Sequence, residues 1–371
     1  MSKKAHTPKK KSGLLGRIVR RFFLVLFTLL ILLVVGLALV MNLVFNGPSP
    51  AARDVLTMSL LEPSATKWIP GLFMDEAVVE QIRNAGSSET LDDSTDLSAI
   101  VINRGSVAGG STADEWANNP DGIIIKEYQG KTFNAHIMLI KDPSRVYLGL
   151  STYNGFSTSI PGKRLNVAIE DEGAVAAINA GAFNDNGTAD ATVGSVPAGL
   201  TIHNSQVVSN VYKDLVPEKG FCGFNEDDIL VVAKSMTAEQ AMEQKIRDGC
   251  EFGPVLIING VPNQEVYSGN SGYNPRTVVG QRADGVVIFV CADGRQAGSL
   301  GATYKDMIDI LVEYGAVNAC NMDGGSSSIM LYRDTLGLYG EPGEVQMINS
   351  YSVLQSQPRR MPNFWMVRPA E

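Results

Sequence analysis

Residues 22–45 form a run of 24 positions without a single charge. At about 1.5 Å of rise per residue a helix of that length reaches roughly 36 Å, enough to cross a hydrocarbon core of about 30 Å. A buried helix of a soluble domain rarely runs so far without a polar face. Cleavable signal peptides carry a shorter apolar stretch of about 7–15 residues, although the small residues at 48–52 would suit a peptidase. The expected organisation is a basic tail at 1–21, a transmembrane signal anchor at 22–45, a stalk at 46–120 and one folded domain at 121–371.

Lys3, Lys4, Lys9, Lys10, Lys11, Arg17, Arg20 and Arg21 precede the run with no acidic residue among them. The positive-inside rule keeps this end in the cytoplasm and places the C-terminal mass outside a single-pass cell membrane protein. With those eight set aside, 23 of the 31 basic residues face 39 acidic ones, a formal charge of −16 after residue 21. An acidic exported region argues against nucleic acid as partner, because binding a phosphate backbone needs a basic surface. Cys222, Cys250, Cys291 and Cys320 all lie in the exported part. Disulfides are permitted there, and buried free thiols are an equal alternative.

The segment 46–120 combines a Pro/Ser/Ala opening, an amphipathic helix at 75–82 and Ser/Asp/Gly-rich stretches at 86–96 and 105–112. From Asp121 the pattern becomes short apolar or alternating runs between turns. Strands are expected at 123–128, 133–140, 146–150, 174–178, 199–202, 229–232, 255–258, 277–280, 286–290 and 328–331. Helices are expected at 237–248, with Met242 and Ile246 four apart, and at 303–314, with Gly315 as the stop. The fold class is α+β: a mixed, largely antiparallel sheet with packed helices, preceded by one transmembrane helix.

The polar residues that could carry chemistry gather after apolar runs in the last third. The run 286–290 leads into Asp293-Gly294-Arg295, and 317–322 leads into Asp323-Gly324-Gly325-Ser326-Ser327-Ser328. Asp-Gly commonly makes turns and nothing more. Two such turns on one rim, with glycines that admit a ligand close to the backbone and uncharged hydroxyl donors, suit a phosphate or a sugar. No Lys-Ser/Thr follows the glycines, so a Walker-type loop is excluded and a nest of backbone N–H groups is the better device. Asn179 follows another apolar run, and Arg276 precedes one. Histidine is confined to His6, His136 and His203, so neither a Ser-His-Asp triad nor a multi-histidine zinc site has support. Carboxylates must supply the acid and base chemistry.

From about 121 to 367 the chain resembles the phosphodiester glycosidase family. The family's loops stand here, in order, as Asn179-Ala180-Gly181-Ala182-Phe183, Arg276-Thr277, Asp293-Gly294-Arg295, Ser299-Leu300-Gly301-Ala302-Thr303 and Asn321-Met322-Asp323-Gly324-Gly325-Ser326-Ser327. A late arginine of the family falls on Arg359 or Arg360. Ala180 and Ala182 replace the usual Gly and Phe, and Ser326 stands where a third Gly is common, departures that bear on the sugar pocket. The resemblance implies hydrolysis of a sugar-1-phosphodiester in a sugar-phosphate glycan, such as a surface polymer or exopolysaccharide. It implies Asp323 and Asp293 as the catalytic carboxylates, and Arg276, Arg295, Asn179, Gly324, Gly325, Ser326 and Ser327 as substrate-binding residues. No cofactor is required, and one of the aspartates holding a divalent cation is the variant to consider.

Two other classes fit the same residues: a non-catalytic glycan-binding protein of polymer export, and a metal-dependent phosphodiesterase that breaks P–O rather than C–O. Orientation is testable first. A reporter enzyme fused after Glu371 is expected to be active only outside the cytoplasm, and cytoplasmic activity alone would overturn the export assignment.

Overall fold

The computed structural model describes residues 14–61, 66–84, 94–102, 115–184, 193–216, 220–269, 271–351 and 357–370. Lys3 to Lys11 and the polar stretches at 86–93 and 105–112 lie outside the described residues. The first helix spans Leu14–Asn46, so it starts before the uncharged run and takes in Arg17, Arg20 and Arg21. Arginine is a good helix former and gives the helix no reason to stop at the charge boundary. Its Ile18–Asn46 portion is long and apolar enough to cross a membrane, with its 18-residue apolar window unburied.

Past a short turn a second helix, Pro50–Leu61, opens with proline in the first-turn position that tolerates its missing N–H. Phe45, at the end of the apolar helix, stacks on Phe73 at 5.2 Å. The second helix also meets the folded region. Ser59 Oγ accepts the N–H of Tyr273 at 2.9 Å, and a Cβ at position 272 would lie 2.3 Å from Ser59 Cα, so only Gly272 admits this approach. Parts of the expected stalk therefore lie on the domain rather than apart from it. Thr95 exchanges hydrogen bonds with Val232, Val101 N–H bonds Ala283 O, and Trp116 is buried in the core.

Every strand pairing among the described residues is antiparallel. A seven-stranded sheet runs, in spatial order, Ile123–Gln129, Asn134–Ile140, Val287–Ala292, Arg276–Arg282, Ala316–Met322, Val255–Ile258 and Val261–Pro262. A five-stranded sheet runs Gln206–Val211, Gly199–His203, Ile246–Glu251, Phe221–Asn225 and Leu230–Ala233. Another runs Val345–Met347, Met330–Arg333, Ala176–Asn179, Asn363–Val367 and Val146–Leu150. The inner faces of all three share one apolar core.

Period-two alternation explains how one strand serves two layers. Val287, Phe289 and Cys291 enter the shared core, whereas Ile288, Val290 and Ala292 face outward onto the helix Tyr304–Glu313. Trp365 and Val367 point inward in the same way, while Phe364 and Met366 meet the helix Leu165–Glu172. A buried aromatic such as Trp365 typically costs about 3–5 kcal/mol to truncate to alanine. The helix Tyr304–Glu313 begins at a capping box between Thr303 and Asp306 and ends before Gly315 at φ 78°, as its sequence signals.

One expected helix is corrected. Of the stretch 237–248, only Ala238–Glu243 is helical, capped by Thr237 and Gln240. Lys245 at φ 56° turns the chain, and Ile246–Glu251 becomes a strand between two neighbours. The four-residue spacing of Met242 and Ile246 is not a packed stripe: Met242 is exposed and Ile246 is fully buried. Pairing on both edges outweighs local helix propensity here. The strands Gln206–Val211, Phe221–Asn225 and Asn363–Val367 and the helix Leu165–Glu172 had no clear sequence signal.

All four cysteines are buried and free. Cys222 and Cys250 face each other across paired strands, and burial raises all four thiols above their ordinary range. A membrane-impermeant thiol reagent is expected to label none of them in the folded protein and all four after denaturation. Replacing Gly272 with alanine forces a clash with Ser59. It is expected to lower stability by about 1–3 kcal/mol and to raise hydrogen exchange across 50–61, both measurable on the full chain.

Candidate functional site

The sheet register explains why both Asp-Gly turns meet. The strands Val287–Ala292 and Ala316–Met322 flank Arg276–Arg282, with Ala292 opposite Arg276 and Met322 opposite Thr277. Both are antiparallel to the strand between them, so both end at the same edge of the sheet, and Asp293 and Asp323 are the next residues. The sequence had placed them on one rim only if their strands were neighbours, and the intervening strand does the same work.

Glycine lets the loops close on one another. A Cβ at Gly294 would sit 2.6 Å from Pro275 N, and Gly325, at φ 61°, donates its N–H to Pro275 O at 2.8 Å. Gly324 and Gly325 thus serve loop packing, and the 3₁₀ turn Gly325–Ser327 presents the serines. The serine loop and the aspartate loops then wall a cavity of about 30 Å³ with Asn349, Ser350 and Tyr351.

Asp293 is buried on the cavity wall. Its Oδ1 accepts Ser350 N–H at 2.9 Å, and its Oδ2 lies 3.8 Å from His136 Nε2. That separation is too long for a hydrogen bond. Asp323 is half-buried and accepts the Ser327 hydroxyl at Oδ2, while its backbone carbonyl takes the Asn179 amide at 2.5 Å. Tyr351 donates its hydroxyl to Ser326 O at 2.5 Å and accepts Arg359 N–H at 3.2 Å. Burial pushes the Tyr351 hydroxyl above its ordinary range, with Arg359 opposing and Asp323 reinforcing the shift.

The arginines divide in a way the sequence could not show. Arg295, exposed and in the left-handed region at φ 58°, donates to Asn274 Oδ1 at 2.8 Å, and its guanidinium lies over Gly325 beside the cavity. Arg359 stacks on Phe183 at 4.7 Å and reaches Ser326 Oγ at 3.3 Å and Ser327 Oγ at 3.4 Å. Arg360 instead bonds Gly162 O in a small two-stranded pairing. Arg276 is only 2 % exposed. It donates to Ala302 O at 2.7 Å and Gly272 O at 2.8 Å, and its guanidinium lies 3.8 Å from the centre of the Tyr304 ring. Expected as a phosphate ligand, Arg276 is in place a clamp on the 272–276 loop.

Asn179 has a similar outcome. Its Oδ1 accepts Thr277 Oγ1 at 2.7 Å and Ile329 N–H at 3.2 Å, filling both acceptor positions, so the amide joins loops rather than facing the cavity. His136 is the site residue that sequence reasoning set aside. A signal existed: it shares the inward face of its strand with Met138 and Ile140, where a polar residue is out of character. Among the described residues, no three His, Cys, Asp or Glu side chains converge as metal ligands.

The assembled edge therefore holds two carboxylates, a histidine, hydroxyls and two guanidinium groups, one exposed and one half-buried, a set able to transfer protons and to hold an anion. The fold resembles the catalytic domain of zebrafish N-acetylglucosamine-1-phosphodiester alpha-N-acetylglucosaminidase, auto-inhibited by its pro-peptide. That likeness has a TM-score of 0.51 at 18% identity, over 68% of this chain and 85% of that one. A hypothetical protein from Synechocystis aligns at a TM-score of 0.42 and 17% identity, over 68% of this chain and 63% of its own. The SPbeta prophage-derived uncharacterized protein YomE of Bacillus subtilis (strain 168) is 27% identical over 208 residues. This match takes in 53% of this chain and spans 29% of YomE's length. The family model described as phosphodiester glycosidase matches residues 172–368. Because that span takes in more than half of the chain and every residue lining the cavity, this chain belongs to the phosphodiester glycosidase family.

Proposed function

We propose that this protein is a membrane-anchored hydrolase that cleaves the bond between an anomeric carbon and a phosphodiester in an exported glycan, such as a surface polymer or exopolysaccharide. The observation that carries the reading is the meeting of Asp293 and Asp323 with Arg295 and Arg359 at one sheet edge. Breaking a glycosidic bond with paired carboxylates uses one to activate water and one to assist departure. Here the leaving group is a phosphate, already a stable anion, so cationic stabilisation at Arg295 and Arg359 outweighs proton donation. Asp293 takes the base role, because it lines the cavity with one oxygen oriented by Ser350 N–H, whereas Asp323 is engaged by Ser327. Asp323, tied to Ser327, orders the serine loop that faces the phosphate. Asn179 and Arg276 act on substrate through the loops they clamp. The helix Leu14–Asn46 supplies the tether, with the basic end in the cytoplasm and the domain outside.

Turnover of a sugar-1-phosphodiester by the full chain in isotopically labelled water tests the bond that breaks. Label is expected in the released sugar; label in phosphate makes the protein a P–O phosphodiesterase instead. Asp293→Asn and Asp323→Asn are each expected to lower kcat by on the order of 10²–10⁴. Full glycan binding by both variants, with no turnover in the parent, would point to a binding protein.

A further inference from the structure

We propose that the 30 Å³ cavity is the seat of the hydrolytic water, and that Ser328 holds this water against Asp293. The proposal rests on the glycosidase reading above and adds the place and the partners of the nucleophile. Volume is the first ground. A cavity of this size has room for at least one water molecule. Its lining is the second: beside Pro275 and glycine backbone, Asp293, Ser328, Asn349 and Ser350 bring polar groups to the wall, and a buried water needs about two to four such partners.

The third ground is Ser328 itself. The residue is 2 % exposed, lines the cavity, and its hydroxyl is buried with no hydrogen-bond partner in the protein. Buried hydroxyls are almost always satisfied by protein or ordered water, so this one calls for a partner from the cavity. Its backbone is already fixed, since Ser328 N–H bonds Gly325 O at 3.3 Å and Ser328 O accepts the Asn349 amide at 3.2 Å. Ser326 and Ser327, the serines named from the sequence, differ in being engaged by Arg359. Asp293 keeps lone pairs for a further donor after accepting Ser350 N–H. Ser350 N–H, 2.9 Å from the first oxygen, fixes the direction of the carboxylate, and His136 lies 3.8 Å from the second.

In the reaction, water held by Ser328 and Asp293 attacks the anomeric carbon. A new C–O bond forms and the water proton passes to Asp293. The bond from the anomeric carbon to the phosphate oxygen breaks, and its electron pair leaves with the phosphate monoester beside Arg295 and Arg359. Asp293 then returns the proton to solvent, closing the cycle with one water consumed.

Two measurements on the full chain in detergent test this. A high-resolution crystal structure of the parent is expected to place an ordered water within hydrogen-bond reach of both Ser328 Oγ and Asp293. Its absence overturns the proposal whatever the activity. Turnover with methanol as competing nucleophile is the second measurement. Ser328→Ala is expected to lower kcat about tenfold, leave KM unchanged, and raise the ratio of methyl glycoside to free sugar. A variant with parental kcat and parental partition also overturns it. A parent that releases no sugar, or that labels phosphate from isotopic water, defeats the glycosidase reading instead, so the two failures are distinct.

Discussion

The buried amide of Asn179 is the contact on which the site's architecture turns. It accepts from the Thr277 hydroxyl and the Ile329 N–H and donates to the Asp323 carbonyl, joining segments from two sheets far apart in sequence. A polar group so deep must be fully paired, because an unmade hydrogen bond there costs about 1–3 kcal/mol. That requirement fixes more than one side chain. It sets where the strand Ala176–Asn179 stops relative to Arg276–Arg282, and hence where Asp323 leaves the sheet.

Around that contact the loops are held by complementary devices. Arg276 spends its guanidinium on carbonyls of the 272 and 302 loops, and glycines at 272, 294 and 325 let backbones come within reach. The result buries Asp293 and leaves Arg295 exposed, with Arg359 half-buried against Phe183. An acidic chain thus gathers guanidinium groups at one edge, since the local arrangement of charge rather than the net value decides what approaches. The helix after the apolar span contributes to the same edge indirectly, because Ser59 caps Tyr273 on the loop that Arg276 clamps.

Much of the scaffold was legible. The alternation opening 133–140, the apolar run 286–290, the capping residues around Thr303 and the stop at Gly315 are local signals, and the chain obeys them. Where local signals conflict with pairing they lose, as at 246–251, where a strand between two partners replaces the end of a helix. Phe221–Asn225 carries two glycine- and cysteine-type positions and little alternation, so only its neighbours make it a strand.

The sequence by itself determined the long apolar helix, the antiparallel character of the domain and the residue types available for catalysis, because each follows from composition and spacing along the chain. Only the tertiary structure decided which of them meet. It brought Asp293 and Asp323 to one edge through a strand between them, chose Arg359 over Arg360 and buried Arg276 in a loop clamp. It also brought His136 to Asp293 across 157 positions of chain. Those outcomes depend on the register of strands and the satisfaction of buried polar groups, quantities set by contacts between distant segments and invisible in any local window.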